Sequence, residues 1–144
     1  MFIPLNLNEV EESKPVPNGR YGLTILDAEE TVTKEAKKPQ FKIAIAVDGH
    51  DKAPNVNHYV GIPGDGDEAK AAQFKALLLK RFLTLFKIPI DPKGFDTAAL
   101  AMQMRGAKAT AELQLDETGD YNRLVVPRIA GEPQGRVAAA PPKR

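Results

Sequence analysis

Few residues in this sequence have the type and spacing for bond-making chemistry. There are two histidines, His50 and His58, and no cysteine. Thiolate chemistry and cysteine-ligated zinc are therefore excluded, and neither histidine stands in the paired spacing of a transition-metal site. His50 falls in a turn-rich stretch and His58 in a strand-like one, where a lone histidine is expected as a satisfied structural residue rather than a base. The run from Gly61 to Lys70 has the glycines of a phosphate loop but not the Gly-Lys-Ser/Thr that places an ammonium and a hydroxyl at a helix start. Asp65 and Asp67 match a calcium loop at two positions only. The plainer reading of this stretch is a turn and a helix N-cap, with no catalytic centre, no metal and no cofactor.

A second set of residues suits binding rather than catalysis. Lys34, Lys37 and Lys38 crowd a short polar connection closed by Pro39. Flanking segments alternate, so Gln40, Lys42, Asn57 and Tyr59 are expected on an outward face, joined by Lys108 and by Tyr121 and Arg123 further on. Single-stranded nucleic acid is held by cations along its phosphates and by aromatic faces that stack on bases. Net charge is only +1, so any such affinity must come from local clustering. The competing reading is that each lysine merely solvates its strand and that Tyr59 packs on a neighbouring element.

The elements that must position these residues follow from hydrophobic period. Residues 1–19 read as an arm ending in the turn signature Val16-Pro-Asn-Gly19, with Phe2, Ile3 and Leu5 expected to dock on the domain. A first, long strand runs from Arg20 to Thr33, with a bulge or bend expected at Gly22. A second, beginning at Gln40, sets Phe41, Ile43, Ile45 and Val47 inward, so Phe41 is a weak stacking candidate. A third, from Asn55 to Ile62, turns Val56, His58, Val60 and Ile62 to one face.

The period then changes. From Glu68 to Phe86, Phe74, Leu77, Leu78, Phe82, Leu85 and Phe86 recur at helical spacing, and Leu79 and Leu83 widen the stripe. The acidic cap expected at its start lies in Gly64–Asp67, and Ile88–Pro92 ends it. A shorter helix runs from Asp96 or Thr97 to Met104, stopped by Gly106. Two more strands, Lys108–Leu115 and Tyr121–Arg128, flank a hairpin loop at 116–120. Residues 131–144 are Pro, Ala and basic, a composition expected to be disordered.

Three strands, a helical insertion and two strands is the order of an OB-fold, a partly open five-stranded Greek-key barrel, here spanning 20–130. An α+β domain with an open sheet covered by the helix fits the same order. No run approaches the ~18 apolar residues of a membrane span, and Met1–Leu5 turns acidic too soon for a signal peptide. The expectation is a soluble, cytoplasmic protein.

The layout resembles a phage family of OB-fold single-stranded DNA-binding proteins, long catalogued only as a domain of unknown function in phage genomes. The likeness covers about residues 15–130. It rests on Pro17-Asn-Gly-Arg-Tyr21, on Phe41–Gly49, on the helix around Phe74–Phe86, and on Leu100–Gly106 before Lys108–Leu113. The resemblance implies sequence-tolerant binding of single-stranded DNA in phage replication or recombination, with proteins of those processes as further partners. Where many replication binders carry an acidic, partner-recruiting tail, this sequence reads Ala-Pro-Pro-Lys-Arg144. The alternative is a non-enzymatic protein-interaction module on the same fold. An exposed patch on Leu79 and Leu83 would point to that module, or to a dimer.

Overall fold

Strand β1 (Gly19–Val32) is long enough to be paired twice. In the computed structural model, which describes residues 1–9, 14–64 and 66–129, its first half pairs antiparallel with β4 (Lys108–Leu115), from Gly19↔Leu113 to Thr24↔Lys108. Its second half pairs with β2 (Pro39–Val47), from Leu23↔Val47 to Val32↔Pro39. Leu23 and Thr24 are paired on both sides, and just beyond them the β1–β2 ladder carries a bulge. The register jumps from Ile25↔Ile45 to Asp27↔Ala44, leaving Leu26 unmatched and turned to solvent. The bend expected at Gly22 is thus four residues away. Gly22 pairs in register with Thr110, and its bareness serves Asp48 instead: a Cβ there would sit 3.1 Å from the Asp48 carboxylate. A bulge needs glycine only when its backbone takes positive φ, and Leu26 does not.

Strand β3 (Val56–Gly61) extends the sheet beyond β2, and β5 (Asn122–Val125) extends it beyond β4, giving the order β3-β2-β1-β4-β5. β3 and β5 come alongside one another without a ladder between them, so the sheet curls into a nearly closed barrel. This is an OB-fold-like barrel with a helical insertion between β3 and β4, not an open sheet. The inner positions of each strand converge as expected: Leu23, Ile25, Phe41, Ile43, Ile45, Val56 and Leu113 are essentially inaccessible. Each such side chain contributes about 1.5–3 kcal/mol by its burial.

Helix α1 (Ala69–Leu85) closes one side of the barrel. Its buried face is Leu79, Phe82 and Leu83, continued by Phe86, whereas Phe74 and Leu78 are exposed. The apolar stripe is therefore rotated from the expected one and confined to the C-terminal half. The reason lies in the partner strand: His58 of β3 stacks on Phe82 (5.3 Å between ring centres, 14° between planes), and Phe82 leans on Phe86 at 4.9 Å. Towards the helix start it is the Lys75 stem that crosses β3, over Gly61. No Asp cap opens α1 either; its N-cap is Glu68, whose side chain makes no capping bond.

Helix α2 (Thr97–Met104) is capped as expected, by Asp96 accepting from the Ala99 N–H at 2.9 Å. It covers the edge of β1 that β4 leaves bare beyond the bulge. Arg105 donates to Asp27 at 2.9 Å and to the Ala28 carbonyl at 3.1 Å, and the Thr97 hydroxyl donates to Glu30 at 2.7 Å. Such covering removes a free strand edge.

Among the described residues, the N-terminal segment is tied down near its root. Buried Asn122 accepts from the Val16 N–H (2.9 Å) and donates to the Val16 carbonyl (2.7 Å), while Asn18 accepts from the Leu115 N–H (2.7 Å). Phe2, Ile3 and Leu5 do not dock; all three are exposed. The expectation for 131–144 lies outside the described residues. Among the described residues no helix is long and apolar enough to cross a membrane.

Burial against α1 lowers the His58 ring from 6.5 to about 4. The unfolded chain takes up this proton between those values while the fold resists it, so stability falls as pH drops from 6.5 to about 4. The loss approaches about 3 kcal/mol at the bottom of that window. Thermal melts at pH 7 and pH 4.5 should show it, and His58→Phe, which keeps the stack, should flatten the dependence.

Candidate nucleic-acid interface

The outer face of the barrel is set by the same registers as its core. Lys42 sits between Glu29 of β1 and Tyr59 of β3, and in the next row Ala44 lies between Asp27 and Asn57. Tyr59 is 52% exposed. Around it, Thr31, Val32, Thr33, Lys34, Gln40 and Lys42 line a shallow depression of about 370 Å³. Small side chains at Ala44 and Ala46 leave the strip beside it low, so a flat ligand can approach the β2 backbone closely. The tyrosine ring, the ammonium groups of Lys34 and Lys42 and the amides of Gln40 and Asn57 are brought together by β2, β3 and the start of the β1–β2 connection.

The connection from β1 to β2 supplies the rest. It is a tight turn in which Lys37 adopts positive φ (56°) and the Thr33 N–H donates to the Lys38 carbonyl at 2.8 Å. Lys34 and Lys37 are exposed. Lys38 is not available in the same way. Its ammonium donates to Asp67 at 2.9 Å, and Lys75 of α1 donates to both oxygens of that carboxylate at 3.0 Å. The Gly64 N–H supplies a further bond at 3.0 Å. The Asp67 side chain is only 4% exposed. The residue expected to cap α1 is instead the anion that ties the β1–β2 connection to the insertion. Bonds from Lys38 first, then Lys75 and Gly64, hold its carboxyl far below the ordinary 3.8.

The remaining predicted residues do not join this cluster. Lys108 donates to the Thr24 hydroxyl at 2.9 Å, and Thr24 in turn donates to Asp48 at 2.7 Å, on the β1–β4 side of the barrel. Arg123 donates to Gln114 at 3.0 Å and lines a separate depression with Asp116 and Glu117. The Thr118 hydroxyl bonded to Asp116 keeps that carboxyl below its usual range. Tyr121 is exposed, but in another cleft, with Lys14, Pro15, Pro17 and Pro54. Phe41 is wholly buried and is a core residue.

Two structural roles had no signal in the sequence. Asp67 meets Lys38 across 29 residues, and Asn122 meets Val16 across 106. Neither spacing follows a local period. Among the described residues, no group of three or more His, Asp or Glu side chains could hold a metal. No known protein-family profile and no characterised protein matches the chain.

Asp67→Asn would leave two ammonium groups facing each other without their anion. Because the carboxyl is held below 3.8, its contribution is present above that pH and lost as pH falls beneath it. The variant should melt below wild type at pH 7, with the gap closing towards pH 2. Equal melting temperatures at pH 7 would contradict the role given to Asp67.

Proposed function

We propose that this chain binds single strands of nucleic acid without doing chemistry on them, using the outer face of β2 and β3 and the β1–β2 connection. The observation that carries the reading is Tyr59, half-exposed on the outer face, in register with Lys42 and sharing one depression with Lys34 and Gln40. A base stacked on the ring would gain roughly 1–3 kcal/mol, and the lysines would neutralise the phosphates on either side. Asp27 and Glu29 bound the strip on the β1 side. The strand is therefore expected to run along β2 and β3 and away from β1. Lys34, Lys37, Lys42, Asn57 and Tyr59 form the primary site. Lys38 positions the connection, and Lys108, Tyr121 and Arg123 lie outside the cluster. The resemblance to the phage family supports DNA as the strand and replication or recombination as the setting.

A protein-interaction module is the second reading. The patch that would have favoured it, Leu79 and Leu83, is buried in the core, but α1 does expose Phe74 and Leu78. That pair is what keeps the reading in view.

Fluorescence anisotropy separates the two. Labelled oligo-dT longer than the ~4–16 nucleotides one OB barrel covers should bind saturably, weaken with salt and resist a duplex competitor. Tyr59→Ala should lose roughly 1–3 kcal/mol of affinity with the fold intact. Lys42→Ala should lower the salt slope by roughly 0.7, the share of one phosphate contact on a single strand, while Lys38→Ala should leave it nearly unchanged. Absence of binding at low salt would move the function to the protein-interaction reading.

A further inference from the structure

The cleft that holds Tyr121 has a volume of about 740 Å³ and is walled by Pro15, Pro17, Pro54 and Leu115 as well as by the tyrosine ring. Tyr121 is 57% exposed, and Leu115 is exposed beside it. The walls are fastened in place. Val16, between the first two prolines, bonds through both its backbone groups to the side chain of Asn122, the residue after Tyr121. Asn18 ties the same segment to Leu115, and the Lys14 N–H donates to the Lys52 carbonyl at 3.2 Å, two residues before Pro54. Charge on the rim is mixed but mostly negative. Lys14 and Asp120 line the cleft itself, and Leu115 borders the adjoining depression of Asp116, Glu117 and Arg123, whose guanidinium is bonded to Gln114. A preformed groove with an aromatic wall suits a proline-rich peptide, which arrives already extended and loses little entropy on docking.

We propose that residues 131–144 of the same chain return to this cleft, with Pro141 and Pro142 on the Tyr121 ring and Lys143 and Arg144 facing the carboxylates of the 116–120 hairpin. The segment has the matching chemistry. It ends Ala140-Pro-Pro-Lys-Arg144, and it sets Arg136, Lys143 and Arg144 against Glu132 alone. Its composition cannot bury a core of its own, so any surface that orders it must come from elsewhere. Reach also fits. Ile129, the last described residue, stands eight positions after Tyr121, at most ~26 Å away at ~3.3 Å per residue. Pro141 stands twelve positions beyond Ile129, a span of up to ~37 Å at ~3.1 Å per residue. The chain's own prolines therefore reach its own cleft with slack, and the tether supplies their effective concentration. A nucleic-acid strand is the poorer occupant here. Asp116, Glu117 and Asp120 repel its phosphates, while they attract the two cations that follow the prolines.

The test is paramagnetic broadening in the full chain without nucleic acid, so that its outcome is independent of strand binding. The sequence has no cysteine, so Ala139→Cys gives a single site for a nitroxide label two residues before Pro141. In the ¹⁵N-labelled chain the amide signals of Lys14, Gly119, Asp120 and Tyr121 should be lost and should return when the nitroxide is reduced. Those of Lys42, Asn57 and Tyr59 should stay sharp. Adding Pro141→Ser/Pro142→Ser should restore the lost signals, and Tyr121→Ser should restore those of Lys14, Gly119 and Asp120 with the rest of the spectrum unmoved. Signals that stay sharp throughout, broadening spread evenly or centred on Tyr59, and broadening that outlasts either variant would each overturn the proposal. So would broadening of an unmodified ¹⁵N chain by a separate spin-labelled copy, which would make the occupant a neighbour's segment.

Discussion

The architecture depends on one strand being paired on two sides by different partners. From Gly19 to Thr24 β1 pairs with β4, at Leu23 and Thr24 it is paired on both sides, and beyond Leu26 it pairs with β2 alone. At the changeover both backbone groups of Ile25 are taken by the segment that follows α2, its N–H by the Ala107 carbonyl (2.9 Å) and its carbonyl by the Gly106 N–H (2.8 Å). The unmatched residue lets the second half of β1 bend away and carry β2 and β3 with it. The edge so exposed is covered by Arg105 and Thr97. Curvature of the sheet, placement of α2 and closure near β3 and β5 all follow from that bulge.

The candidate site inherits its geometry from the same strand. Because β1 overshoots β4, its far half and the connection to β2 lie beyond the β1–β4 ladder, and Lys34 and Lys37 stand on that connection. The turn is anchored rather than loose. Lys38 reaches back to Asp67, and Asp67 is held in turn by Lys75 of α1. A cation spent on anchoring is not available to a phosphate, but it fixes where its neighbours stand. On the opposite rim the 116–120 hairpin offers carboxylates to any ligand.

What the sequence made legible was whatever obeys a local period. Strand order, the inward set Phe41–Val47, the Asp96 cap and the outward rank of Lys42, Asn57 and Tyr59 can all be read from alternation. The helical face of α1 was misplaced because its apolar residues surround most of the helix, so spacing alone does not say which side meets β3. The bulge was assigned to a glycine, whereas Gly22 is bare to admit Asp48. The partners of Lys38 and Lys108 are set by tertiary contacts that no window of sequence contains, whereas Arg123 meets Gln114 across the β4–β5 hairpin. That is why the candidate residues divide into a compact group and several that stand apart.

The most direct test of the central claim is a titration of ¹⁵N-labelled protein with a short oligo-dT, followed amide by amide. The account predicts that shifts concentrate at Lys34, Lys37, Lys42, Asn57 and Tyr59, with the 116–120 hairpin and α2 unmoved. Shifts centred on the hairpin and Tyr121, or an unchanged spectrum at saturating oligonucleotide, would contradict it.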